Sequence, residues 1–504
     1  MNLAAHTDQE NRYFEISNKE ELMWIPKSIK DRRNDVHSPV PTEAISNEEF
    51  YPPAQTEDQK KVEYLLNEMA EKKARKLGIN RRQFLRTTCG MATAFVAMNQ
   101  VFGHFFDVVE AETWETAAYD ERWPKNQFIM DVQTHHVRDG IVLPFRAFDF
   151  VRDLGVQLSN DKDSYGFKNF VKEIFLDSDT SMCVISGVPG KEEGPASVLP
   201  TKLMAQSRDW INQVAGSTRV LAQSNCAPNH YATQQQLFDR MEFEAKTYKH
   251  SSWKLYPHTT PPGSTGQPWW LDDEKLVYPY YDQARKLGIK VISVHKGFPA
   301  TGQHEAHSHP RDVKKASLDN PDLTFVIYHS AFKSNLTTTG AHTKLNSPIG
   351  ADGAFEWTTD FCRDRKQNPK MTNVYAEIGS SFGLAATMQP ALAAHLLGQL
   401  KDAFGADHII WGTDSLWWGS PQWQIEAFRR FQIPEEMQKK FGYKPLTPRD
   451  KDLVLGLNAA RVYKLDVKEK RNAIPADYMS RIKAAYKETD GQRSNAFYGW
   501  VRNG

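Results

Sequence analysis

From residue 126 onward, short apolar runs recur along the chain: 128–132, 182–186, 219–224, 252–256, 290–295, 324–329, 373–378 and 408–413. Runs of this length, rich in Val, Ile, Tyr and Phe and lacking alternation, are the pattern of strands buried on both faces of a parallel sheet. Between them the apolar period lengthens to that of a helix. Leu237, Met241 and Phe243 fall among charges over 235–248, the stretch 276–287 leads into Gly288, and 390–404 leads into Gly405, both glycines standing where helices end. Eight strands alternating with helices predict an α/β protein whose core, over 124–466, is a (β/α)8 TIM-type barrel; an open doubly wound sheet is the rival architecture.

The flanks differ. Residues 1–80 read as a polar N-terminal extension with one amphipathic helix at 58–76, where Val62, Leu65, Leu66 and Met69 share a face. Within 71–86 there are seven basic residues and one acidic, and the next twenty residues, 87–106, carry no Asp, Glu, Lys or Arg. Asn80-Arg81-Arg82-Gln83-Phe84-Leu85-Arg86 resembles a twin-arginine export signal, so 81–112 is read as a signal-like segment. That reading implies the twin-arginine export machinery as a partner and a periplasmic or exported location; a surface helix of a cytoplasmic protein is the alternative, because about 80 residues precede the arginines. The stretch is too polar for a stable membrane span. Residues 467–504 are expected to form a helical C-terminal tail, with Tyr478, Ile482, Ala485 and Tyr486 packed on the barrel or on a neighbouring subunit, and a homodimer is an open expectation.

Composition narrows the function. With 63 Lys+Arg against 62 Asp+Glu the formal charge is +1, which removes bulk charge as a means of holding nucleic acid. Cys89, Cys183, Cys226 and Cys362 show no paired spacing, so neither a disulfide framework nor a zinc finger is indicated. No phosphate-binding glycine loop or nucleophile elbow is present, which disfavours nucleotide hydrolysis and serine or cysteine acyl transfer.

The chemistry gathers where strands end. Four runs finish in proton-moving or metal-binding groups: Asp131-Val132-Gln133-Thr134-His135-His136, Val294-His295-Lys296, Tyr328-His329-Ser330 and Gly412-Thr413-Asp414. In a barrel the C-terminal strand ends share one mouth, so these distant positions meet. Alternation places Asp131, Gln133 and His135 on one face and leaves His136 to packing.

This order of motifs resembles the amidohydrolase superfamily, in the branch of aminocarboxymuconate-semialdehyde decarboxylase. The matching features are the first-strand motif, Lys254 in Trp253-Lys254-Leu255-Tyr256-Pro257, His295, His329, the Gly-Thr-Asp ending in Asp414, and the closing Val454-Leu455-Gly456-Leu457-Asn458-Ala459-Ala460-Arg461. The resemblance implies a hydrolase or non-oxidative decarboxylase acting on a small organic acid or lactone. It implies one divalent metal, Zn²⁺ first with Mn²⁺ or Fe²⁺ as other candidates, held by His135, His295 and Asp414 with a bound water as nucleophile. His329 and Asp414 would move protons, Lys254 would neutralise a substrate carboxylate, and Trp253 and Trp417 would line the substrate site. Gln133 stands where the family has a histidine and offers a metal only its carbonyl oxygen, so its place among the ligands is open, and a carbamylated Lys254 is disfavoured. A metal-free lactone hydrolase and a non-catalytic ligand-binding barrel remain the alternatives. Further candidates are the group His304, Glu305, His307 and His309, the loop 330–352 as a lid, and Trp269, Trp270 and Trp418 near the mouth.

Overall fold

The computed structural model describes residues 24–47, 50, 52–123, 126–138, 162–188, 197–259, 266–298, 304–333, 349–489, 491 and 493–503. Eight parallel strands run in sequence order around one sheet: β1 (Met130–Thr134), β2 (Met182–Ile185), β3 (Val220–Ser224), β4 (Ser252–Leu255), β5 (Val291–Gly297), β6 (Thr324–Phe332), β7 (Val374–Glu377) and β8 (Ile409–Ile410). All eight coincide with the apolar runs of the sequence. The ring closes through the backbone: Val132 N donates to Trp411 O, Asp414 N to Gln133 O and His135 N to Ser415 O. This is the barrel, not the open sheet.

Burial follows the pleat. Met130, Val132, Met182, Val184, Val326, Tyr328 and Ile410 form an interior cluster, stopped at its lower end by Ala459, Ala460 and Val462 of the closing helix. Cys183, Ile185, Ala222, Trp253, Leu255, Ile292, Val294, Phe325 and Ile327 face outward into the layer of helices. Helices Gln234–Tyr248 and Pro390–Phe404 stand where the period placed them. The closing motif has a physical task. The Asn458 amide donates to the carbonyls of Ala406 and Ile409 and so pins the two-residue β8.

Outside the barrel, Glu57–Leu77 begins with a Thr56/Gln59 capping box and buries Val62, Leu66, Ala70 and Ala74. The signal-like segment forms two helices, Arg81–Leu85 and Thr88–Phe102, and buries Phe84, Leu85, Met91, Phe95 and Met98. Arg81 and Arg82 both pair with Asp35. Below them Arg430, fully buried, joins Glu112 at 2.7 Å and lies 5.5 Å from the ring of Phe95. Among the described residues no helix is long and apolar enough to cross a membrane.

The tail forms helices Val467–Ala476 and Tyr478–Glu488. Its expected stripe is displaced: Met479 is buried, whereas Tyr478 is 51% exposed and Ala485 is exposed too. The reason is an ionic anchor one position earlier, where Asp477 caps the second helix and pairs with the buried Arg219 at 2.6 Å, rotating Tyr478 outward. The strand Trp500–Arg502 then pairs antiparallel with Trp24–Pro26.

Phe95 tests whether the signal-like segment carries folding energy. Phe95→Ala removes a fully buried ring packed 4.8 Å from Phe106 and should cost about 3–5 kcal/mol in urea unfolding. An unchanged midpoint would show that this helix is not part of the cooperative unit.

Candidate active site

The barrel mouth is built at the seam between β1 and the turn after β8. A bulge in β1, where the pairing with β2 slips between Asp131 and Thr134, breaks simple alternation. Asp131 therefore serves the seam: its carboxylate accepts from the Thr413 hydroxyl, from Thr413 N at 3.1 Å and from Gln133 N at 3.0 Å. Burial raises it to about 7 against those donors. Gln133 and His135 reach the mouth. His136 points away, bonded to Ser207 Oγ at 2.9 Å and set between the rings of Phe167 and Phe170, the packing position expected of it.

Asp414 is the centre. Its Oδ1 lies 2.9 Å from both His135 Nε2 and Gln133 Nε2, and its Oδ2 accepts from Ser380 Oγ at 2.5 Å. Burial alone would raise this carboxyl; the hydrogen bond and charge of His135 outweigh it and hold it below the ordinary range. His135 Nδ1–H is committed to the carbonyl of Ser186 at 2.7 Å, an orientation typical of ligating histidines. With Nδ1–H so committed, His135 Nε2 meets Asp414 Oδ1 either through a proton of its own or through a metal ion shared by the two.

His329 comes next. Its Nδ1–H donates to Gly379 O at 2.8 Å, which leaves Nε2 turned to the cluster, 3.4 Å from Gln133 Nε2 and 3.3 Å from His295 Nδ1. Burial lowers His329 to about 4 and drives His295 well below its usual value, so both rings are neutral at pH 7. The backbone is strained at these positions: His329, Ser330, Ala331 and Asp414 take φ of 64°, 50°, 54° and 60°. Left-handed non-glycine residues cost about 1–3 kcal/mol each and cluster at functional sites.

Lys254 projects inward from β4, its ammonium 3.4 Å from the ring centroid of Tyr328 and 4.7 Å from that of Tyr256. Its charge acts on His329, His295 and Glu377. Trp417 lies over His135, centroids 5.5 Å apart. Trp253, expected at the substrate, is not there. It projects outward from β4, donates Nε1–H to Ile289 O at 3.0 Å and packs on Tyr280, because on a four-residue strand only one of the neighbours 253 and 254 can face in.

Of the expected ligands, His135 and Asp414 meet with Gln133 beside them, while His295 contacts the cluster through His329. Among the described residues no three His, Cys, Asp or Glu side chains stand together as a ligand group. His307 and His309 instead give their carbonyls to Lys296, which is paired with Asp312 at 2.7 Å. Most of the candidate lid, 334–348, lies outside the described residues.

Several participants escaped the sequence reading. Ser380 holds Asp414 and itself accepts from Trp418 Nε1 at 3.2 Å. The signal for it was Gly379-Ser380-Ser381, small polar residues directly after β7. Glu377, the last residue of β7, accepts from the backbone N–H of His329 at 2.9 Å and of Gly379 at 2.6 Å. Phe50, far away in the N-terminal extension, stacks against Phe298 and Trp418, and Phe298 packs on His329.

The structure is thus a parallel eight-stranded barrel with histidines and an aspartate gathered at its C-terminal mouth. The amidohydrolase family model, Amidohydro_2, matches residues 234–465 of the chain. No curated protein matches the chain. Among solved structures it is similar to 5-carboxyvanillate decarboxylase from Sphingomonas paucimobilis, at 13% identity and TM-score 0.43, over 68% of this chain and 100% of that one. It is also similar to a probable 2-pyrone-4,6-dicarboxylic acid hydrolase from Acinetobacter baumannii, at 11% identity and TM-score 0.35, over 67% of this chain and 99% of that one. A third is a dihydroxybenzoic acid decarboxylase from Polaromonas sp. JS666 with bound manganese, at 11% identity and TM-score 0.35, over 68% of this chain and 99% of that one.

Burial pushes Glu377 from 4.5 to about 8 despite its two backbone donors. A raised carboxyl binds its proton more tightly when folded, so its stabilisation is complete below about pH 4.5 and is lost as pH rises through about 8. Urea unfolding at stepped pH should therefore show stability falling less between pH 5 and 8 in Glu377→Gln than in the wild type. Equal slopes would refute the assignment.

Proposed function

We propose that this enzyme hydrolyses or non-oxidatively decarboxylates a small carboxylated organic acid or lactone. The observation that carries this reading is a desolvated ammonium, Lys254, in the same mouth as an ionised Asp414 and a neutral His329. A cation set among aromatic faces and shielded from water attracts a carboxylate strongly, because solvent no longer competes for it. Bound there, a substrate would present its reacting carbon to His329 Nε2 and Asp414.

His329 suits proton transfer in either direction. Its ring is fixed by the Gly379 carbonyl, so the Nε2 lone pair has one aim. It accepts a proton from a water attacking a lactone, or relays one towards the carbon that loses carboxylate. Asp414, held on both oxygens, stabilises the imidazolium formed in that step. Trp417 and Phe298 supply apolar walls that exclude bulk water.

The residues present fit one divalent ion in part: His135 and Asp414 would hold it, with Gln133 adjoining. Such an ion supplies Lewis-acid polarisation of a carboxylate or carbonyl oxygen and eases deprotonation of water. Hydrolysis and decarboxylation are separated by their products, ring-opened acid against released CO₂.

A panel of carboxylated phenols and pyrone dicarboxylates, followed by absorbance and by CO₂ release, is the direct test. His329→Asn should lower kcat by about 10²–10⁴-fold with an unchanged circular dichroism spectrum. Lys254→Met should act mainly on KM. Wild-type turnover in both variants would remove these residues from the mechanism. Tight binding of panel members with no turnover by the wild type would make the chain a binding barrel.

A further inference from the structure

We propose that Gln133 is a metal ligand through its carbonyl oxygen, and that Glu377 is the positioning residue that holds the amide in that orientation. The proposal rests on the reading of the mouth as a site for one divalent ion. Two donors, His135 Nε2 and Asp414 Oδ1, face each other 2.9 Å apart, a separation that two ligands of one ion also show. A protein site needs at least a third. Among the described residues no third His, Cys, Asp or Glu joins them. His295 Nδ1 lies 3.3 Å from His329 Nε2.

Gln133 offers a third donor of another kind. Gln133 places its amide nitrogen 2.9 Å from Asp414 Oδ1, while its amide oxygen is buried and accepts no hydrogen bond. The two ends of a side-chain amide are distinguished only by the partners they find. In the orientation found, the orphaned oxygen shares a crevice with an acceptor: a Cβ added to Gly379 would come within 2.5 Å of Gln133 Oε1 and 2.4 Å of Glu377 Oε1. Gln133 Oε1 lies in this crevice without a hydrogen-bond partner. A buried acceptor left so costs about 1–3 kcal/mol.

Exchanging the ends of the amide relieves this. The NH₂ then turns to the Glu377 carboxyl, and the oxygen joins His135 Nε2 and Asp414 Oδ1. A divalent ion converts the same three atoms into a set of one imidazole, one carboxylate and one amide oxygen. Two oxygens among three donors make a harder site than a histidine pair, which shifts preference from Zn²⁺ towards Mn²⁺. Gly379 and Gly412 are required as glycines by this arrangement, since a Cβ at 412 would lie 1.8 Å from Glu377 Oε1.

The test uses the full chain, stripped with a chelator and titrated with Mn²⁺, Zn²⁺ and Co²⁺, the last read by its visible absorption. Gln133→Met, similar in length but without the oxygen, should weaken Mn²⁺ at least about tenfold and change the Co²⁺ band as a ligand is lost. Gln133→His should bind and favour Zn²⁺, which keeps the test open if the Met variant fails to fold. Glu377→Gln, which keeps the length of the side chain and a carbonyl oxygen that can accept from the amide, should weaken Mn²⁺ less than Gln133→Met does. If Gln133→Met keeps the wild-type affinity and Co²⁺ spectrum, the amide is not a ligand and the proposal falls while the metal reading stands. If the wild type binds none of the three ions, both fall together.

Discussion

Closing a barrel obliges the last strand to bond to the first, and in this chain that seam is also the chemical centre. The backbone bonds that join β1 to the turn after β8 bring Gln133 and His135 beside Thr413 and Asp414. A carboxylate buried at such a seam is costly unless its oxygens are satisfied. Asp414 is satisfied by three side chains from three places in the sequence: His135, Gln133 and Ser380. Much else in the mouth follows from that demand, including the aim of Ser380, the donor bond from Trp418 and the left-handed backbone at Asp414.

Burial then sorts the titratable groups. The same low-dielectric surroundings push Glu377 up to about 8 and His329 down to about 4, while the charge of His135 keeps Asp414 ionised. Ionisable groups whose environments drive them apart are what acid–base chemistry at neutral pH requires. The strain at His329 to Ala331 fits this picture, since an aim fixed by the turn after β6 leaves a ring nitrogen pointed at one place.

The N-terminal extension takes part in both the fold and the mouth. Helix Thr88–Phe102 is apolar all round its buried face and rests on Arg430, whose charge is compensated by Glu112. Phe50 reaches the walls of the site through Phe298 and Trp418. Both contacts connect residues more than two hundred positions apart.

The strands and their order were legible because a strand buried on both faces is apolar along most of its length, and eight such runs recur at a spacing that leaves room for a helix between them. The residues at the strand ends, His135, Lys254, His295, His329 and Asp414, were legible because polar groups ending apolar runs have few other uses. Tertiary structure decided which of them touch. Sequence offers no measure of the bulge in β1 that turns Asp131 to the seam, of the inward choice between Trp253 and Lys254, or of the approach of His329 Nε2 to both His295 and Gln133. Those outcomes depend on shear and on packing from the far side of the barrel. A one-residue change in register reverses the face on which a side chain appears, and only the closed ring sets that register.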